Sequence, residues 1–344
     1  MADTVHLSLD EAHALALGAL TASGFSDDQA RAVADTVIAA ERDGGTSHGL
    51  FRIPFYVKAL QNPDVNARAV PELTDRAPGV LHVDAKFGFA PLALQMSADP
   101  LADKARGNGI AALAINNAYH IAALWPEVER LAEKGFVAFA FTAAMAYVAP
   151  AGGTKPLYGT NPMAFAWPRR GRPPLVFDQA SSVTARGEIL VHLRDGKPIP
   201  EGWAIGPDGT PTTDPEAALA GAQLTFGGHK GAAIALMVEL LAGALVGDVF
   251  SYEATARDTG TGAPCGGEFL MAIDPARCAP GGDAGAVMEH AEQLFSKILE
   301  QDGARLPSDR RFAARARTPR DGIHIPRSRD LTGIRCVKGH LLDI

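Results

Sequence analysis

The sequence predicts an α/β fold of one large domain or two smaller ones, and three observations carry that expectation. Two continuous apolar runs, residues 109–116 and 136–142, are bounded by turn residues and flank the segment WPEVERLAEKG, so that strand, helix and strand follow one another. Helix-start signatures open the chain, Ser8 with Glu11 and Ser26 with Gln29. The nucleotide signatures of the doubly wound class are missing: there is no GxGxxG between a strand and a helix and no GxxxxGK[ST]. The α/β class expected here is therefore neither Rossmann nor P-loop.

Taken in order, a first helix runs from the Ser8 cap to Gly24 and a second from Asp27 to Arg42, where Gly44 and Gly45 end it. Residues 79–84 form a strand after a turn. Residues 90–106 are helical in composition, with a kink or break expected at Pro100. Residues 150–168 read as loop with one short strand over 163–167, and residues 175–177 as a buried strand that leads into a loop holding Arg186, Gly187 and Glu188. The proline- and glycine-dense stretch 195–215 is a surface excursion. GGHKG, residues 227–231, opens a long apolar helix to Val246; a loop over 260–267, a strand over 268–274 and a helix over 287–301 precede a basic tail.

Composition narrows the function classes. An apolar fraction of 47% and a charged fraction of 21% belong to an ordinary globular chain, and 32 basic against 39 acidic residues leave a net charge of −7, which argues against nucleic acid as a general partner. Cys265, Cys278 and Cys336 are too few and scattered for a disulfide framework or a CxxC site, and no His, Cys, Asp and Glu set shows metal-ligand spacing. The N-terminus carries acidic residues where a signal peptide would be basic, and no apolar run is long enough to cross a membrane, so the expectation is a cytoplasmic protein without a bound metal.

The stretch ERDGGTSHGLFRIPFY, residues 41–56, carries the densest chemistry. It crowds a hydroxyl, an imidazole and a guanidinium into six positions as Ser47, His48 and Arg52. An imidazole moves protons near neutral pH, and a guanidinium grips a carboxylate through two parallel hydrogen bonds. A helix from Ser47 onward would set His48 and Arg52 one turn apart on one face; a solvated surface pair is the other reading of the same spacing. In GGHKG, Lys230 puts a cation at a helix start, where an anion would complement it, although a plain glycine turn with a solvated lysine fits equally. His120 lies between a strand and a helix, facing either a cofactor or a satisfied polar neighbour. Thr160 and Asp178 sit in turns. Residues 305–311, RLPSDRR, with Arg315 and Arg317 form the basic cluster: a solvated face, or guanidiniums for a 2′-phosphate. Ser47 and His48 are adjacent in sequence, which is poor geometry for a hydrolase triad.

TSHGLFRIPFY, NAYHIAALW, YGTNPMAFAWP, FDQASSVTARGE, PTTDPEAALAGA and GGHKGAAIALMVELLAGAL, in that order and spacing, resemble the malate/L-lactate dehydrogenase superfamily that lacks a Rossmann fold. The resemblance spans residues 7–331. HIAALWPEVE, GGHKG and RLPSDRR are most similar to its branch of Δ1-piperideine-2-carboxylate and Δ1-pyrroline-2-carboxylate reductases, which use NADPH.

The resemblance implies a homodimer, an NADP-binding domain on a largely antiparallel sheet over residues 76–284, and a helical, substrate-side domain from residues 1–75 and 285–344. It makes His48 the proton donor, with Ser47 and Glu188 as its relay. Arg52, Thr160, Arg186 and Gly187 would hold the substrate. The cofactor would lie against His120, Ile121, Ala122, Ala123 and Leu124, against Asp178, Gln179 and Ala180, against His229 and Lys230, and against Arg305, Leu306, Pro307, Ser308, Asp309, Arg310 and Arg311. NADPH would deliver hydride to C2 of a cyclic imine, giving L-proline or L-pipecolate. Imine reductases of this branch commonly show His-Gly-Asp where this chain has Arg186, Gly187 and Glu188; the Arg-Gly pair is more like members acting on 2-keto or 2-hydroxy acids, and an NAD(P)-dependent 2-hydroxy acid dehydrogenase is the alternative.

Overall fold

The structure, a computed structural model, describes residues 4–326. The tail after Ile334, Cys336 and the last part of the expected 285–344 segment lie outside the described residues. A short strand β1 (Thr4–Leu7) precedes three helices, α1 (Leu9–Ala22), α2 (Asp27–Arg42) and α3 (Ile53–Ala59). Ser8 and Glu11 complete a capping box on α1. At α2 only half of the expected box forms. Ser26 accepts from the Gln29 amide, while the buried Gln29 side chain donates to the Ala69 carbonyl and accepts from the Phe89 amide, tying α2 to the chain beyond it.

The sheet elements then alternate with helices: β2 (Glu72–Ala77), β3 (Val80–Asp84), α4 (Ala90–Asn108), β4 (Ile110–Tyr119), α5 (Trp125–Glu133), β5 (Val137–Thr142), β6 (Met163–Trp167) and β7 (Leu175–Gln179). Pro100 does not break α4. The carbonyl it leaves without a donor belongs to the exposed Met96, where water can serve it. Next come α6 (Arg186–Arg194), β8 (Ala204–Ile205), β9 (Pro211–Thr212), α7 (Pro215–Ala220), β10 (Ala222–Gln223) and α8 (His229–Glu239), which continues as a π-helical turn over Leu240–Leu245. The chain closes with α9 (Ser251–Arg257), β11 (Cys265–Ile273), α10 (Pro275–Cys278), α11 (Ala284–Leu299), α12 (Asp309–Asp321) and β12 (Ile323–Pro326). The stretch 195–215 is not a bare excursion: β8 pairs with β9 and β10, and Ile189, Ile199, Ala204 and Ala218 bury a small core of their own.

The main sheet has seven strands in the order β2-β3-β4-β11-β5-β6-β7, and β3 with β4 is its one parallel pair. The expected strand, helix, strand unit of β4, α5 and β5 forms, but late-arriving β11 inserts between the two strands, antiparallel to both. One face of the sheet packs under α4 and α5 through Leu101, Leu113, Leu131 and Ala138; the other packs under α8 through Phe141, Val238 and Phe269. A separate core joins α1 to α3 with Phe89, Tyr119 and Ile323, and β1 pairs with β12, so both ends of the described chain meet there. Among the described residues no helix is long and apolar enough to cross a membrane.

β11 is irregular between Gly266 and Glu268, and a Cβ at Gly267 would overlap the Ala242 carbonyl and the Val246 side chain of the π-helical turn. Gly267→Ala should therefore lower stability by ~1–3 kcal/mol, the usual scale of overpacking, read as a lower thermal midpoint; an unchanged midpoint would mean this approach is not close.

Candidate active site

The segment that carries Ser47, His48 and Arg52 is shaped by a buried acid. The Glu41 carboxylate, at the end of α2, accepts a hydrogen bond from the Leu50 amide at 2.8 Å, and burial holds its pKa above the ordinary carboxylate range. It fills the space a Cβ at Gly49 would need. The continuous helix expected from Ser47 therefore does not form. Two 3₁₀ turns, Thr46–His48 and Leu50–Arg52, meet instead at Gly49, whose ψ is −144°. The functional trio still converges: Ser47 Oγ lies 3.1 Å from His48 Nδ1, and Arg52 Nε donates to the Ser47 carbonyl at 2.7 Å. Arg52 also sits over the Phe55 ring, and among the described residues its terminal guanidinium nitrogens make no hydrogen bond, which leaves them for a carboxylate. Burial first, then the charges of Arg52 and His120, push the His48 pKa down to about 4. With Nδ1 engaged by Ser47, Nε2 is the nitrogen left to meet a substrate.

His120 stands close enough for its charge to act on His48, at the end of β4. Its ring lies 3.7 Å from the Glu127 carboxylate of α5. Glu268 of β11 completes a group in which one ligand atom of each residue lies within 4.8 Å of the others. The residues His120, Ile121, Ala122, Ala123 and Leu124 connect β4 to α5, and their course is set by Asp178, which accepts from the Leu124 and Trp125 amides at 2.8 and 3.0 Å. Ser308, with φ of +74°, donates to the Val176 carbonyl on β7, so the 305–311 segment is laid beside Asp178.

That segment is solvated only in part. It leads into α12, and Arg311 is committed within the chain: it stacks over the Trp125 ring at 4.3 Å, bonds Glu129 at 3.3 Å and lies 4.0 Å from Asp43. Arg315 bridges Asp43 and Glu129 as well. This buried network clamps α12 to α2 and α5, which leaves the exposed Arg305 and Arg310 as the guanidiniums available to a phosphate. Leu306 is buried, Pro307 is exposed, and Asp309 accepts from the Leu306 amide.

Among the described residues, other expected site residues make no direct bond to His48. Thr160 is linked to Ser181 through its carbonyl, next to Asn161, whose buried side chain bonds Glu239 of α8. Arg186, Gly187 and Glu188 begin α6 and do not lie in a loop. Arg186 packs 4.0 Å from the centre of the Tyr147 ring and bonds the Leu219 carbonyl, and Glu188 is exposed. Among the described residues no hydrogen bond or ion pair joins Thr160, Arg186 or Glu188 to Ser47 or His48. Gln179 is exposed and Ala180 half-buried beside Asp178.

The residues present fit an anionic dinucleotide. Gly227 and Gly228 have φ of +57° and +61° at the start of α8, a Cβ on Gly228 would meet nothing within 4 Å, and His229 and Lys230 stand exposed beside this open backbone. The His120 Nε2 atom is buried without a partner. Glu127 and Glu268, which lie against His120, are not singled out by the sequence. For Glu268 a signal existed, a carboxylate in a run otherwise apolar enough for the middle of a sheet.

Residues 7–330 match the family described as malate/L-lactate dehydrogenase. The chain belongs to the malate/L-lactate dehydrogenase family. Over 323 residues, 94% of this chain and 96% of the relative, it is 54% identical to the Δ1-pyrroline-2-carboxylate/Δ1-piperideine-2-carboxylate reductase of Pseudomonas aeruginosa. It is also 45% identical to the NADP⁺-dependent (2R)-3-sulfolactate dehydrogenase of Chromohalobacter salexigens, over 90% of this chain and 91% of that one. The crystal structure of the Δ1-piperideine-2-carboxylate reductase of Pseudomonas syringae superposes with a TM-score of 0.90 at 41% identity, covering 97% of this chain and all of the other. The largely antiparallel, non-Rossmann sheet expected from the resemblance is the fold of this family.

Glu41→Gln keeps the size of the side chain but weakens its acceptance from Leu50. We expect a loss of ~1–2 kcal/mol in stability, together with weaker substrate binding because Arg52 loses its setting. Chemical denaturation and KM measurements check it; a stable variant with an unchanged KM would show that Glu41 does not shape the site.

Proposed function

We propose that the chain is an NADPH-dependent reductase of a cyclic imino acid, Δ1-pyrroline-2-carboxylate or Δ1-piperideine-2-carboxylate, and the carrying observation is the convergence of Ser47, His48 and Arg52 on one turn beside His120. The printed activity of the relative at 54% identity supports the substrate class. A nicotinamide cofactor, when bound, supplies the hydride. Arg52 grips the substrate carboxylate, which orients C2 and its nitrogen. His48 Nε2 faces that nitrogen and gives it a proton, while Ser47 holds Nδ1 and fixes the ring. Binding of the carboxylate offsets the Arg52 charge, one of the causes that hold His48 neutral, so substrate entry itself raises the readiness of the imidazole to carry a proton.

His229, Lys230 and Gly228 would take the cofactor's phosphates, Asp178 would keep the 120–124 loop in place, and Arg305 and Arg310 would favour a 2′-phosphate. The NADP⁺ in the printed name of the sulfolactate dehydrogenase relative supports that preference. The division into residues 1–75 with 285–344 and residues 76–284 belongs to the same reading, supported by the separate core of the terminal helices. A homodimer is supported by the exposed apolar side chains Leu236, Met237, Leu240 and Leu245 along α8 and its π-helical turn. The cytoplasm is the compartment we assign, which the unbridged Cys265 and Cys278 support.

A 2-hydroxy acid dehydrogenase is the second reading, favoured by Arg186 with Gly187 and by the sulfolactate relative. Following NADPH absorbance with both imines, pyruvate and oxaloacetate separates the two: turnover of the keto acids and not of the imines would reject the first. His48→Ala should lower kcat by roughly a hundredfold or more, and a near-normal rate would remove it from proton donation. Arg52→Ala should raise the substrate KM roughly tenfold to a hundredfold, the scale of a lost charge-assisted hydrogen bond. Arg310→Ala should weaken NADPH more than NADH in titrations of cofactor binding; equal losses would contradict the 2′-phosphate role.

A further inference from the structure

Directly behind His120 lie two carboxyl groups that proton donation by His48, as derived above, does not use. Glu268 is 1% exposed, both of its carboxylate oxygens lack a hydrogen-bond partner, and the irregularity of β11 at Gly266 and Glu268 turns it toward α5. Glu127 Oε2 and His120 Nε2 are unpartnered too, with side chains only 5% and 8% exposed. Two unpaired carboxylates this close and this dry cannot both stay ionised, so at least one of them holds a proton at neutral pH.

We propose that Glu127 and Glu268 form an internal proton store that recharges His48 by way of His120. The charged and titratable side chains coupled to the group are Asp178 of β7, which acts on Glu127, Tyr56 of α3, on which Glu127 acts, and His48 of the 3₁₀ turns, on which His120 acts. One step further out, Arg52 acts on His48 and Tyr56, and Arg311 of α12 acts on Asp178. His120, Glu127 and Glu268 also lie at ligand-like spacing, so a bound divalent ion is the outcome against the store. In the transfer, an O–H bond of the store breaks and its proton joins His120 Nε2. Before substrate enters, the other ring nitrogen of His120 releases one to His48 Nε2, the nitrogen that Ser47 leaves free, and Nε2 then turns to the substrate nitrogen. His48 then gives that proton to the substrate nitrogen, and the ionised store regains one from solvent after product leaves. Burial pushes the Glu268 carboxyl up to about 8 and holds Glu127 well above the ordinary carboxylate range, so the store stays loaded at a pH where His48 alone, at about 4, is empty.

The proposal rests on His48 as proton donor, and its test separates the two. The pH profile of kcat/KM for imine reduction reports groups of the free enzyme. In the unaltered enzyme the profile should stay level to about pH 8 and then fall. In Glu268→Gln it should fall about tenfold per pH unit from the acid side, with the KM for NADPH little changed; Glu127→Gln should move the same limb in the same direction. A Glu268→Gln profile that parallels the unaltered one, whatever its thermal midpoint, overturns the store while leaving His48 in place. Normal turnover by His48→Ala instead overturns the donor assignment. A measurement on the unaltered protein stands beside these: infrared spectroscopy at pH 7 should show the carbonyl band of a buried, protonated carboxylic acid. Its absence, or one tightly bound divalent ion per chain by elemental analysis, would overturn the proposal.

Discussion

One buried carboxylate sets the geometry on which the site depends. Glu41 ends α2, accepts the Leu50 amide and fills the place a side chain at residue 49 would take. A helix through this segment would satisfy its own backbone but spread Ser47, His48 and Arg52 along one face. The break at Gly49 folds them into two short turns, and Arg52 reaches back to the Ser47 carbonyl. Backbone bonds lost from the helix are replaced by a charge-assisted bond from a carboxylate that is dehydrated in any case, so the substitution costs little.

The remainder of the site is delivered by strand ends. His120 directly follows β4, Asp178 is the last residue but one of β7, and Glu268 lies in the first half of β11. Insertion of β11 between β4 and β5 brings a carboxylate from near the end of the chain under a histidine from its first half. Asp178 serves the same end from the other side, by holding the loop after His120 with two backbone amides. The Asp43, Glu129, Arg311 and Arg315 network then fixes α12 across the outside of this assembly. Polar groups so buried are costly unless partnered; in the network every carboxylate meets a guanidinium and only Arg311 Nε is left without a partner, whereas both oxygens of Glu268, Glu127 Oε2 and His120 Nε2 have none. The unpartnered group is the one to which we assign the proton store.

Local signals in the sequence carried much of this. The caps at Ser8 and Ser26, the ends of α2, the strand expected over 136–142 and found over 137–142, and the strand over 163–167 follow from periodicity and turn residues. Pro100 was legible as a breaker but not as one tolerated by an exposed carbonyl. The break at Gly49 depends on Glu41, eight residues earlier in the chain but meeting it only through the fold, and no local pattern encodes that meeting. The pairing of Glu268 with His120 is less legible still, because 148 positions of chain separate them and only the sheet order joins them. The engagement of Arg311 by Glu129 hides in the same way: the sequence shows a basic cluster, and the structure decides which guanidinium is already taken.

The central claim is that His48 faces the nitrogen of a substrate whose carboxylate is held by Arg52. A crystal structure with NADPH and pyrrole-2-carboxylate, a flat mimic of the imine, tests it most directly. The account predicts His48 Nε2 within ~2.7–3.2 Å of the ring nitrogen and the mimic's carboxylate paired with Arg52. A mimic bound with its nitrogen turned away from His48, or its carboxylate held by another residue, would contradict it.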